Sequence, residues 1–197
     1  MAIFLALVHH PVLNRRGEVV ATAITNVDLH DLARSGRTFG ASAVYIVTPV
    51  TLQQRMVDEV TGHWTVGQGS RHERRADAMR RVHAVATLDA VRADVRERTG
   101  RAPVLAMTGA RMEGDTISFA DLRVRLGDPT GAPVVIVFGT GWGLAPALMA
   151  TADVRLPPVG RAPCFDALDG SPAGPRYNHL SVRAAAAIVL DRLTGDR

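Results

Sequence analysis

Short apolar runs alternate with stretches of helical period along this chain. Ile3–Val8 is apolar at every position, as expected of a strand covered on both faces. A turn is expected at 14–17. Asp28 is placed to cap a helix carrying Leu29, Leu32 and Ala33 on one face, with Gly36 or Gly40 as its stop. Ala43–Val47 forms a second strand, halted by Thr48-Pro49. Thr51 opens a helix to about Val60, His63-Trp64 breaks its period, and 67–70 (Gly-Gln-Gly-Ser) is a flexible loop. A basic helix at 71–81, a strand at 82–86 and a Thr87-capped helix at 88–98 ended by Gly100 follow. Further strands are expected at 103–107, 133–138 and 154–156, and further helices at 118–126, 144–152 and 178–193. Residues 157–176 form a long polar loop with five prolines and three glycines.

This alternation predicts a single-domain α/β fold over residues 1–197, with a mostly parallel sheet flanked by helices. Ligands of such sheets sit at the carboxyl ends of the strands. Here those ends are Thr48-Pro49, Thr108-Gly109, 139–143 and Leu156-Pro157-Pro158.

Composition narrows the chemistry. The 197 residues are 47% apolar and 21% charged, with aromatics at only 5%, so the core is built from Val, Ile, Leu and Ala. All 23 cations are arginine, against 19 acidic residues, for a net charge of +4. Without lysine there is no Schiff-base chemistry and no Walker A phosphate loop. Cys164 is the only cysteine, which excludes an internal disulfide and a cysteine metal cluster within one chain, and no convincing metal ligand set stands out. The apolar N-terminus lacks a basic flank and runs into His9-His10-Pro11, so it reads as a buried strand rather than a signal peptide. No apolar run reaches membrane-spanning length, and a cytoplasmic location is expected.

The most informative segment is Phe138-Gly139-Thr140-Gly141-Trp142-Gly143-Leu144. Alternate glycines permit positive φ angles and close backbone approach to a ligand. The spacing is not that of the Gly-x-Gly-x-x-Gly dinucleotide fingerprint, and a plain tight turn is the competing reading. The segment 177–187 begins with polar residues able to cap a helix and continues with an alanine run that lets another backbone pack closely.

Together these segments resemble the SPOUT, or α/β-knot, superfamily of RNA methyltransferases. Asn26, a helix bearing Arg34, Phe39-Gly40 and a strand ending at Pro49 look like the first motif of its ribose 2′-O-methylating branch. The strand and loop at 134–144 look like the second motif, and Leu156-Pro157-Pro158 with 178–187 look like the third. His9-His10-Pro11, His63-Trp64, 138–144 and 177–183 resemble more closely a bacterial subgroup of SAM-dependent RNA methyltransferase-like proteins. The resemblance implies a C-terminal trefoil knot, a homodimer with its active site at the interface, S-adenosylmethionine as cofactor and a tRNA or rRNA substrate. It implies a cofactor site of Thr108, Gly109, Phe138, Gly139, Thr140, Gly141, Trp142, Gly143, Leu144, Leu156, Asn178, His179, Leu180 and Ser181. It also implies that Arg34 approaches the reacting group from the neighbouring subunit and Asn26 holds it in place, with His179 or Asp169 as alternatives for handling its proton.

The chain departs from the ribose-methylating pattern in two ways. The second loop has 139–142 where that branch has an acidic residue, and His179 stands where it has asparagine. Ribose 2′-O and guanine N1 therefore both stay open as targets, as does a cofactor- or RNA-binding protein without transferase activity. Arg71, Arg74 and Arg75 share a face if 71–81 is one helix, with Arg81 near it. They are the expected phosphate contacts, and His9, His10, His63 and Trp64 are candidates for the RNA side.

Overall fold

The computed structural model describes residues 2–160 and 178–195. Six parallel strands form one sheet in the order β5-β4-β1-β7-β6-β8. They are β1 (Ile3–Val8), β4 (Ala43–Val47), β5 (Val82–Val85), β6 (Val104–Met107), β7 (Val134–Gly139) and β8 (Val154–Arg155). Side chains alternate across the sheet. Ile3, Leu5 and Leu7 enter one core cluster, shared with Leu29 and Leu32 of α1 (Asn26–Thr38) and Val189 and Leu190 of α7 (Val182–Thr194). Phe4, Ala6 and Val8 enter the other, shared with Val91 and Val95 of α4 (Leu88–Thr99). Both faces are covered, which is why β1 and β7 are apolar without alternation.

Several boundaries differ from the expectations, each for a local reason. Thr25, not Asp28, caps α1. Its hydroxyl accepts the Asp28 N–H at 3.2 Å and donates to the Asp28 carboxylate at 2.5 Å, a reciprocal capping arrangement. Gly36 lies buried inside α1, and Gly40, at φ 79°, follows its end. The helix α2 (Thr51–Thr65) continues through His63-Trp64, because Met56, Val60 and Trp64 recur four apart and pack on the core.

The expected flexible loop at 67–70 is largely a 3-10 turn, Gln68–Arg71, with Gly69 buried beneath Trp64. A Cβ on Gly69 would lie 2.7 Å from the indole. The basic stretch is not one helix, since α3 covers only Glu73–Met79. The helix α5 (Phe119–Gly127) begins after Ser118, which caps it. Before β8, α6 is a single turn, Pro146–Met149, because the residues ahead of it are held by other pairings. The last helix starts at Val182 behind the cap Ser181, not at Asn178. A small antiparallel hairpin, β2 (Val12–Leu13) with β3 (Val19–Val20), flanks the expected turn and carries no readable period at two residues per strand.

Ile136 sits at the centre of the sheet, fully buried and in register with Leu5 and Ala106. Ile136→Ala is expected to lower the unfolding free energy by about 2–5 kcal/mol. Val124→Ala, at an exposed position of α5, should stay within about 0.5 kcal/mol. Urea unfolding of both variants checks this.

Candidate functional site at the carboxyl ends of the central strands

Three loops leave the sheet at the carboxyl ends of β6, β7 and β8. The N-terminal segment crosses the middle one. The Leu13 N–H donates to Gly143 O at 2.9 Å, the Trp142 N–H donates to Leu13 O at 2.9 Å, and the Ala145 N–H donates to Pro11 O at 3.1 Å. This pairing explains the alternate glycines. Gly141 adopts φ 59°, and a Cβ there would meet Leu13 O at 2.8 Å. Gly143 adopts φ 110°. Gly139 is extended, but a Cβ on it would press against the Leu144 N and side chain at 2.9–3.0 Å.

The loop after β6 is fixed by the Thr108 hydroxyl, which donates to Val137 O at 2.9 Å. It is tied to the C-terminal segment by the Asn178 side-chain amide, which donates to Ala110 O at 2.9 Å. That bond holds 178–180 outside the last helix.

These loops enclose a cavity of about 1000 Å³, the upper end of the range for small-molecule sites. Thr108, Gly109, Phe138, Gly139, Thr140, Gly141, Trp142, Gly143, Leu144, Asn178, His179 and Leu180 all line it. Trp142 is 53% exposed at its edge.

Leu156 and Ser181 lie apart from the cavity wall. Leu156 is fully buried in the core, and Ser181 is spent on the cap of α7. Ser181 borders a neighbouring groove with Asp31, Arg34, Ser35 and Arg183. Arg34 is exposed there, and Asn26 is exposed at the first position of α1. Asp169 lies outside the described residues.

The basic run is divided. Arg71 and Arg74 are exposed. Arg75 stacks on the Trp64 ring at 4.7 Å. Arg81 pairs with Asp77 at 3.8 Å and donates to Ser42 O at 3.4 Å. The single helical face expected for these arginines is therefore absent, because the chain breaks at His72 between the 3-10 turn and α3. Among the described residues, no group of three His, Cys, Asp or Glu side chains is placed to hold a metal, and no helix is long and apolar enough to cross a membrane.

Sequence reasoning missed part of the wall. Thr22, Asp28, Arg111, Glu113 and Arg155 line the cavity. His9, expected on the RNA side, also lines it and is only 1% exposed. Its backbone N–H extends the sheet by donating to Val47 O at 2.8 Å. Burial drives its pKa down from 6.5 to about 4, against the pull of the Asp28 carboxylate and a bond to Thr22. Two-residue strands and irregular turns carry no signal that would bring Thr22 to this wall.

A family model described as SAM-dependent RNA methyltransferase matches residues 2–195. The chain belongs to this family. It is 42% identical over 195 residues to a tRNA (guanine-N(1)-)-methyltransferase of Oleidesulfovibrio alaskensis, a match covering 98% of this chain and 42% of that protein. It is 35% identical over 192 residues to an uncharacterized protein of Aquifex aeolicus, covering 97% of this chain and 87% of that one. The chain thus spans less than half the length of the Oleidesulfovibrio relative. The SpoU methyltransferase AviRb from Streptomyces viridochromogenes, solved in complex with AdoMet, matches with a TM-score of 0.55 at 14% identity, covering 98% of this chain and 57% of that one. That likeness shows a shared α/β fold with a mostly parallel sheet flanked by helices.

Two outcomes follow for this wall. Gly141→Ala should lose at least about 1–2 kcal/mol from its left-handed backbone alone, whereas Gly62→Ala, inside α2 with open space around it, should gain about 0.5–1 kcal/mol. Denaturant melts of both variants check the contrast. His9 has its pKa lowered on folding, so the unfolded chain binds its proton first as pH falls. The associated stability is complete above about pH 6.5 and is lost towards pH 4, roughly 3 kcal/mol at most. His30 and His83 are shifted in the same direction. The share owed to His9 is therefore the difference between wild type and His9→Asn in unfolding free energy from pH 7.5 to 4.5. It should shrink by that amount as pH falls.

Proposed function

We propose that this chain transfers a methyl group from S-adenosylmethionine to a nucleotide of tRNA or rRNA. The observation that carries the reading is the cavity itself. The loops after β6 and β7 and the segment before α7 converge on one space, and twelve of the fourteen expected cofactor positions line it. The residues fit such a ligand chemically. Leu144, Met149 and Val182 offer apolar surface, Asp28 and Glu113 would complement its cationic groups, and Arg111 and Arg155 would complement its carboxylate. When bound, S-adenosylmethionine supplies an electrophilic methyl on a sulfonium.

The protein's part is to place the accepting atom in line and manage its proton. Thr108, Gly109, the 138–144 loop and 178–180 hold the cofactor. Arg34, from the neighbouring subunit of a homodimer, approaches the accepting group, Asn26 orients it, and His179 or Asp169 takes the proton. The exposure of Arg34 and Asn26 outside the cavity of their own chain supports a role across a dimer interface. The same reading includes a C-terminal trefoil knot. Exposed Arg71 and Arg74 are the phosphate contacts best placed to act, and the work is cytoplasmic. The guanine N1 in the relatives' name is said of proteins more than twice as long as the match. Ribose 2′-O and guanine N1 are distinguished by mapping the modified position.

Isothermal titration should give saturable binding of S-adenosylmethionine, and no heat at millimolar cofactor would overturn the reading. Arg34→Ala should leave that isotherm unchanged while lowering labelled-methyl transfer to RNA by about a hundredfold or more.

A further inference from the structure

His9 lies outside the cofactor and catalytic positions that the family resemblance implies, and three contacts fix its state. The Thr140 hydroxyl lies 3.0 Å from Val8 O. The hydroxyls of Thr140 and Thr22 lie 2.5 Å apart. The Thr22 hydroxyl lies 3.0 Å from His9 Nδ1. Each hydroxyl has one proton, and a carbonyl oxygen only accepts. Thr140 therefore donates to Val8 O, Thr22 donates to Thr140, and His9 Nδ1–H donates to Thr22. No other proton assignment satisfies all three contacts. The weaker approach of Thr22 to His9 O, at 3.5 Å, also leaves the Thr22 proton unavailable to Nδ1.

The lone pair of the imidazole is thus on Nε2. That atom is buried and has no hydrogen-bond partner among the described residues. The residue belongs to the cavity wall, and Nε2 is the one polar atom its ring has left to offer. An unmade acceptor in the wall of a binding site is unfavourable until a ligand supplies a donor. The backbone on both sides of the ring is held, by His9 N–H on Val47 O and by the Thr22 N–H on His9 O at 2.9 Å, so the ring cannot readily turn away.

We infer that His9 is a specificity-determining residue whose Nε2 accepts a hydrogen bond from an N–H group of the nucleoside held in this cavity. This rests on the methyl-transfer reading for the identity of the nucleoside, which is either the cofactor's adenine or the accepting base. Among the described residues, the titratable neighbours lining the space are Asp28 of α1, Arg111 and Glu113 of the loop after β6, Arg155 of β8 and His179 ahead of α7. Burial keeps the imidazole neutral among them at pH 7.

Two substitutions separate the ring's two nitrogens. Asparagine reproduces Nδ1 and keeps the bond to Thr22, and glutamine reproduces the reach of Nε2. Nitrogen-detected NMR of ligand-free protein with labelled histidine should show His9 protonated at Nδ1 and bare at Nε2. An Nε2-protonated ring would overturn the inference whatever the enzyme's activity. Titration with S-adenosylmethionine and steady-state methylation of RNA then locate the donor. A loss of cofactor affinity of about tenfold in His9→Asn, restored in His9→Gln, assigns it to the cofactor. Unchanged cofactor affinity with about a tenfold higher KM for RNA in His9→Asn, restored in His9→Gln, assigns it to the accepting base. If both variants, shown folded by circular dichroism, match wild type in both assays, the inference is wrong.

Discussion

The pairing of the N-terminal segment with the glycine loop is the constraint on which this site depends. Two backbone hydrogen bonds between Leu13 and residues 142–143 lay the chain's start across the end of the central strand β7. The close approach leaves no room for a side chain at position 141 and sets the backbone of 143 in a region that favours glycine. The bond between Thr22 and Thr140 spans 118 residues, and that between Thr140 and Val8 spans 132. The cavity wall is thus a long-range structure, assembled only when β1 and β7 lie side by side.

That dependence explains what the sequence discloses and what it does not. Ile3–Val8 and Ala43–Val47 are legible because burial on both faces makes every position apolar, and the observed strands have those bounds. The glycine loop is legible as a ligand cradle because its composition is unusual. The reason for each glycine is not, since Leu13 O comes from a two-residue strand with no period of its own. Likewise His9 reads as one of two adjacent histidines, and only Val47, Thr22 and Thr140 together show it as a buried group. The end of α2 was obscured by the polar His63, although Met56, Val60 and Trp64 keep the helical spacing through it.

Charge shows the same division between local and remote information. An all-arginine basic run suggests a uniform cationic face. In the fold, Asp77 receives both Arg37 and Arg81, and Trp64 receives Arg75. Arg183 lies 3.5 Å from Asp28 and 3.6 Å from Asp31, which fixes the start of α7 against α1. These exposed pairs are individually weak. Their effect is to take guanidinium groups out of the pool available to phosphates, so the exposed arginines of the run, not its sequence total, set the charge this surface presents.

The neutral state of His9 belongs to the same electrostatic balance. The cavity wall already carries Arg111 and Arg155 alongside the carboxylates of Asp28 and Glu113. A protonated imidazole would add a third cation to the wall of the cavity in which the proposed sulfonium cofactor would lie. Burial at the end of β1 avoids this by making protonation costly. The threonine relay then decides which nitrogen of the neutral ring carries its single proton. Position on the central strand thereby sets charge, and the hydroxyl chain sets polarity. The result is an acceptor whose direction is set before any ligand arrives.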